Sequence, residues 1–202
     1  IEHAGKNLFG MLDDDFELRR RFDESPTKRP LTKEDWHEFY DTIIEWLNTD
    51  CTFAGVRRGN LPPVGKNTMD NTETLQATFY NGNKLPNINE LIWNHDLVSE
   101  DVNLHLQLLI RGHRNRVWCK YGSVSKWAQK GGCQSGINPR TVKMINESHE
   151  RLIELYPNFV KWNMQNGKQK IAGLSFNKGY KAIKVFYSNA YKSSRIKTLN
   201  FE

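Results

Sequence analysis

Residues 99–121 read SEDVNLHLQLLIRGHRNRVWCKY and include the longest apolar run of the chain. Ser99 is a residue type that caps the amino end of a helix, and Glu100 and Asp101 would follow in the first turn, where the helix dipole favours negative charge. The apolar residues that follow, up to Ile110, are too dense for the single stripe of a surface helix. We therefore predict one helix over residues 99–120, buried at first and basic at its end.

Several other segments also carry helical patterns. Thr32 and Asp35 form a capping-box pair, and apolar residues recur at helical spacing from there to Leu47. Further helices are predicted over residues 123–130, 141–155 and 158–165, with Asn138 as the amino-terminal cap of the second and Pro139 at its first position.

Strand signals are confined to one segment. Residues 52–57 and 74–80 favour two short strands, separated by a stretch rich in glycine and proline. The predicted fold is therefore mainly α: a multi-helix domain with a short irregular or β-hairpin insertion near residues 52–83.

Charge divides the 202-residue chain, whose net charge is +6, into unlike halves. Residues 1–100 carry 11 Lys and Arg against 18 Asp and Glu, whereas residues 101–202 carry 18 against 5. From this we predict an N-terminal arm (residues 1–30), an acidic helical lobe with a basic glycine- and proline-rich loop (31–100), and a basic helical lobe (101–202). A strongly basic lobe indicates a polyanionic partner. The acidic half is expected to contact a basic partner or another copy of the chain.

The carboxyl-terminal stretch combines cations with aromatic rings. Residues 166–197 contain eight Lys and Arg, five Phe and Tyr, and no Asp or Glu. Cations suit nucleic-acid phosphates, and flat rings suit stacking on bases. The leading hypothesis is a non-enzymatic nucleic-acid-binding protein, RNA or DNA, of the nucleocapsid-like or replication-associated kind found in viruses and mobile elements. The candidate binding residues are Arg57, Arg58, Lys66, Arg111, Arg114, Arg116, Lys120, Lys126, Arg140, Lys143, Lys178, Tyr180, Lys181, Lys184, Tyr187, Tyr191, Lys192 and Arg195.

A second hypothesis is a sequence-specific DNA binder. The helix, glycine-rich turn and helix expected over residues 122–155 resemble a helix-turn-helix element, although the turn is longer than usual. On this interpretation Asn138, Arg140, Thr141 and Lys143 would face the groove.

A third hypothesis is a metal-dependent nuclease with its site near residues 90–105. Carboxylates and His95 occur there, and Tyr121 is a candidate nucleophile, but no established carboxylate motif is present. The His and Cys spacings do not match a zinc site. No catalytic residue, metal ligand or cofactor is therefore assigned. A fourth hypothesis is a structural or adaptor protein that binds an acidic partner.

Composition also bears on location. Three scattered cysteines cannot form a disulfide framework and suit a reducing compartment, so an intracellular site is expected: cytosol, nucleus or virion interior. No apolar run approaches the roughly 20 residues of a membrane-spanning helix, and no membrane association is expected.

Overall fold

The computed structural model describes residues 3–13, 16–21, 28–59, 65–74, 76–92, 98–125, 141–165, 168–169 and 180–199. Over these residues the fold is mixed α/β and is built on one curled seven-stranded sheet, so the prediction of a mainly α fold is wrong. The strands of this sheet are β1 (Leu8–Leu12), β2 (Phe16–Arg21), β3 (Lys28–Pro30), β4 (Phe53–Arg58), β5 (Thr68–Asp70), β6 (Ala77–Asn81) and β7 (Asn115–Ser125).

The strands run in the order β1-β6-β4-β7-β2-β3, and β5 also pairs with β7. The β4–β7 pair is parallel and the other pairs are antiparallel. The helices are α1 (Lys33–Thr49), α2 (Glu100–Ile110), α3 (Val142–Leu155) and α4 (Tyr187–Leu199), with a 3₁₀ turn at Ile88–Glu90. Two small ribbons pair β8 (Val160–Trp162) with β11 (Ile183–Val185), and β9 (Met164–Gln165) with β10 (Lys168–Gln169).

Two apolar cores lie on opposite faces of the sheet. The first, the α1 core, packs Phe39, Ile43 and Leu47 of α1 against sheet residues that include Trp118 and Tyr121. The second packs α2, α3 and α4 against the other face; it contains Phe53, Tyr80, Leu104, Leu106, Leu108, Leu109, Leu152, Tyr156, Tyr187 and Ala190. The sheet is thus the middle layer between α1 and the remaining helices.

The predicted helix over residues 99–120 ends ten residues early. Gly112 has φ +88°, a conformation that glycine adopts readily. The amide of Gly112 donates to the carbonyl of Leu109, and the amide of His113 donates to that of Leu108, which closes a Schellman motif. The chain then reverses into β7, so the basic end of the expected helix is a strand at the centre of the sheet.

The fold was misjudged because several strands are strongly charged. The strand β2 reads FELRRR and β4 reads FAGVRR, whereas strand propensity is highest for β-branched and aromatic residues. The proposed arm, residues 1–30, supplies β1, β2 and β3. The first helix of the helix-turn-helix hypothesis was expected from Ser123, yet Ser123 lies in β7, and residues 126–140 fall outside the described residues.

Patterns with local causes were predicted correctly. The helix expected from Thr32 is α1, and both hydrogen bonds of the Thr32–Asp35 capping box are present. The two expected strands correspond to β4 and β6, which pair antiparallel. The helix expected to end at Leu155 is α3, but its cap is Thr141 and not Asn138 as predicted.

His105 makes the stability of the fold sensitive to acid. The ring is fully buried, 2.9 Å from the Tyr80 hydroxyl, and burial lowers its pKa to about 3. In the unfolded chain His105 binds a proton near pH 6.5, whereas in the folded chain it does not. The contribution of His105 to the free energy of unfolding is therefore fully present above pH 6.5 and decreases as the pH falls below that value.

We expect protonation of His105 alone to lower the free energy of unfolding by about 2 kcal/mol when the pH is lowered from 7 to 5. Urea titrations at both values would measure it. The His105→Phe variant should show a smaller difference, whereas Tyr80→Phe, which keeps the imidazole, should retain it. An unchanged pH dependence in His105→Phe would contradict the assignment.

Candidate functional site

The run Arg19-Arg20-Arg21 in β2 divides its charges between the two faces of the sheet. Successive side chains of a strand point to opposite faces. Leu18 packs in the α1 core, and Arg20 binds Asp35 of α1. Arg19 and Arg21 therefore lie on the face away from α1.

On the α1 face the cations are paired. Asp35 is buried and accepts hydrogen bonds from both Arg20 and Arg29, and from the backbone amide of Thr32. Arg29 first, and then the Thr32 amide and Arg20, hold the pKa of Asp35 well below its usual range, in spite of burial. Asp35 thus binds both arginines and anchors α1 to β2 and β3, and Glu38, 3.8 Å from Arg20, adds a second negative charge.

On the opposite face Arg21 is almost fully buried, in space left by two glycines. A Cβ on Gly122 would lie 2.8 Å from Nε of Arg21 and 3.0 Å from Cα of Gly59, so only glycine fits there. One terminal nitrogen of Arg21 donates to the backbone carbonyl of Arg58, while Nε has no hydrogen-bond partner. Burial, and then the charge of Arg57, lower the pKa of Arg21. No carboxylate within the described residues pairs with it.

Three more cations surround Arg21, and the four together are here called the basic cluster. Lys28 faces Arg21 across the β2–β3 pair, and its pKa is lowered by burial and then by the charges of Arg21 and Arg19. Arg57 contacts a methionine sulfur at 3.4 Å. Arg19 binds Glu17 at 2.9 Å, and Glu17 is the one carboxylate that pairs with the cluster within the described ranges. The Nε atoms of Arg19 and Arg57 are buried without a partner.

The basic cluster is suited to binding an anion. Like charges held close together repel, and unpartnered guanidinium nitrogens retain unused donors. Phosphate oxygens would accept charge-assisted hydrogen bonds from these groups and remove the repulsion.

Ion pairs connect the acidic half of the sequence with the basic half. Arg116 lies 2.9 Å from Asp70 and 2.9 Å from Asp50, and Arg114 lies 2.6 Å from Asp70. These arginines belong to the second half of the sequence and both aspartates to the first. Part of the charge asymmetry is therefore satisfied within one copy of the protein.

Several other predicted binding residues also have partners. Arg111 donates to the backbone carbonyls of Gln107 and Glu90 at the end of α2. Four more cations form ion pairs: Arg58 with Glu73 at 3.6 Å, Lys120 with Glu38, Lys143 with Glu147 at 3.7 Å, and Lys181 with Glu150 at 3.2 Å.

The remaining predicted residues differ in their exposure. Lys66, Lys184, Lys192 and Arg195 are exposed, and Lys184 and Arg195 lie over the rings of Phe186 and Tyr191. Of the predicted stacking rings, Tyr187 is buried in the second core, and Tyr180 and Tyr191 are half-buried. Lys126, Arg140 and Lys178 lie outside the described residues.

The structure adds no support for the nuclease hypothesis in the part of the chain that it describes. No group of three or more His, Cys, Asp or Glu side chains there could hold a metal ion. Tyr121, the candidate nucleophile, is fully buried in the α1 core, where its hydroxyl donates to Glu38 at 2.9 Å.

Sequence reasoning found one member of the basic cluster, Arg57, and missed the other three. Arg19 and Arg21 looked like part of an arm, where a run of arginines next to acidic residues is an ordinary exposed segment. Recognising β2 as a strand would have separated Arg19 and Arg21 from Arg20 by face, since side chains alternate.

The fold and the site together define an α/β protein whose curled sheet carries a basic cluster on the face away from α1. Among the described residues, Arg19 is the one member of this cluster that has a carboxylate partner. Comparisons with known protein families, with curated proteins and with solved structures found no match. No helix among the described residues has the length and apolar character needed to cross a membrane.

Proposed function

We propose that this protein binds nucleic acid and that backbone phosphates occupy the basic cluster. The observation that carries the proposal is the contrast within β2 and β3: Arg20 and Arg29 share a buried carboxylate, whereas Arg21 and Lys28 pair with no carboxylate among the described residues. A fold that keeps cations buried and unpaired pays an electrostatic cost, which a bound polyanion removes.

Phosphodiester backbones fit the cluster better than an isolated small anion does. Its members come from three strands, β2, β3 and β4, with β7 between β2 and β4, so they form a row across the sheet.

The direct test is a salt titration of binding. A labelled single strand and a labelled duplex are titrated with the wild type, with Arg19→Gln/Arg57→Gln, and with Lys6→Gln/Lys33→Gln. The last pair removes the same charge from exposed positions outside the basic cluster. The cluster variant should lose affinity by about tenfold or more, because two charge-assisted contacts are lost. Its slope of log affinity against log salt should fall by about 1.5.

Stability separates a lost contact from a damaged fold. Because the substitutions relieve repulsion, the thermal midpoint of Arg19→Gln/Arg57→Gln without ligand should equal or exceed that of the wild type. Equal affinity losses in the two variant pairs would refute the assignment to the basic cluster. Tight wild-type binding to polyglutamate but not to either nucleic acid would instead favour an acidic protein partner.

A further inference from the structure

The two edges of the sheet are built differently. One edge strand, β3, is three residues long and consists of Lys28, Arg29 and Pro30. Short length, charge and proline are the features by which natural edge strands avoid pairing with other chains. The opposite edge strand, β1, reads LFGML, has no charged residue and pairs with β6 along its whole length. No described residue pairs with its outer side.

The side chains on the α1 side of β1 continue onto α1. Gly10 pairs with Phe79 across the β1–β6 register, and the Phe79 ring lies 6.3 Å from that of Tyr40. Cross-strand partners share a face, and alternate residues of a strand do too, so Leu8 and Leu12 lie on this same face.

The result is a continuous apolar surface, here called the edge patch. Leu8, Leu12, Trp36, Tyr40 and Ile44 make up this patch, and each is between 36% and 51% exposed. The rings of Trp36 and Tyr40 are stacked at 5.7 Å, which presents a broad aromatic surface. Contiguous apolar and aromatic patches on a soluble domain mark interaction sites.

We propose that the edge patch is a dimer interface in which β1 pairs antiparallel with β1 of a second copy. The strand is self-complementary about a two-fold axis through Gly10: Leu8 of one copy comes opposite Leu12 of the other, and Phe9 opposite Met11. Each edge strand supplies the backbone partners that the other lacks.

Charge at the strand ends favours the same orientation. Lys6 precedes β1 and Asp13 follows it. Antiparallel pairing brings the amino end of one strand beside the carboxyl end of the other, so each lysine approaches the second copy's aspartate. A parallel arrangement would place like charges together. The acidic half of the chain thus associates with a second copy through its apolar edge, in a closed two-fold dimer.

The test measures the mass of the full chain by sedimentation at concentrations up to about 100 μM. The wild type should form a dimer, and the dimer dissociation constant of the Leu12→Lys variant should be at least about thirtyfold higher than that of the wild type. Met164→Lys is the matched control, because Met164 is 50% exposed but lies on β9, outside the edge patch. It should dimerise like the wild type.

Register is tested by crosslinking. Leu8→Cys/Leu12→Cys should give a covalent dimer on mild oxidation, whereas Leu155→Cys, another partly exposed leucine, should not. A wild type that stays monomeric, or a Leu12→Lys variant that dimerises normally, would overturn the proposal. So would crosslinking in the control alone. The basic cluster lies on β2, β3 and β4 and faces away from α1, whereas Leu12 lies on β1 and on the α1 side. The Leu12→Lys monomer should therefore still bind nucleic acid, so the two proposals fail separately.

Discussion

Replacing Asp35 with asparagine is expected to lower the free energy of unfolding by about 3–5 kcal/mol. The carboxylate is 2% exposed, accepts hydrogen bonds from Arg20 and Arg29, and closes the capping box of α1 with Thr32. Asparagine keeps the shape but removes the charge, which leaves Arg29 without this carboxylate and Arg20 with the more distant Glu38, 3.8 Å away.

Chemical denaturation at pH 7 measures this loss, with Asp41→Asn as the matched control. Asp41 is exposed on the same helix, so its substitution should change stability little. A cycle with Arg29→Gln isolates the pair: the two substitutions should be far from additive. A loss below about 1 kcal/mol for Asp35→Asn would show that solvent, not this carboxylate, balances the two arginines.

The same carboxylate predicts a second acid sensitivity. Because its pKa is lower in the folded chain than in the unfolded chain, its contribution is present above the unfolded value and is lost as the pH falls below it. This loss begins at more acidic pH than that of His105, whose unfolded pKa is near 6.5.

Replacing Phe39 with alanine is expected to cost a similar amount, about 3–5 kcal/mol. The ring is 1% exposed at the centre of the α1 core, stacked on Trp118 at 6.0 Å and edge-on to Tyr121 at 5.3 Å. Truncation would leave a cavity among rings that are too rigid to fill it.

Denaturation curves of Phe39→Ala and Tyr40→Ala, in dilute protein, provide the comparison. Tyr40 is adjacent but 44% exposed, so its truncation should cost much less. Comparable losses for the two variants would mean that α1 is not anchored through Phe39. The near-ultraviolet circular dichroism of Phe39→Ala should also weaken, since its neighbours Trp118 and Tyr121 would lose their fixed packing.

These two residues show why α1 was predictable and the sheet was not. The Thr32–Asp35 capping box and the spacing of Phe39 and Ile43 are local patterns within one helix. By contrast, β2 is held in the sheet by β7, about a hundred residues later. A strand with three consecutive arginines becomes stable only when those distant partners are present, so propensity alone did not identify it.

The candidate site follows the same division. Sequence indicated that cations dominate the second half, and Arg57 was recognised as a candidate. The sequence could not indicate that Arg116 would form ion pairs with Asp50 and Asp70. Ion pairs depend on distance in space, and these residues are far apart in the chain. Most of the predicted binding cations that the structure describes have hydrogen-bond or ion-pair partners, whereas Arg21, assigned to an arm, is buried with no carboxylate partner among the described residues.

By itself, then, the amino-acid sequence determined the position of α1, the strands β4 and β6, and the surplus of positive charge, because each depends on neighbours within a few residues or on composition. Tertiary structure alone decided which cations remain unneutralised and which strand edge stays open. Both outcomes depend on which distant segments lie side by side, and on the two-residue alternation that sends Arg20 to one face of the sheet and Arg21 to the other.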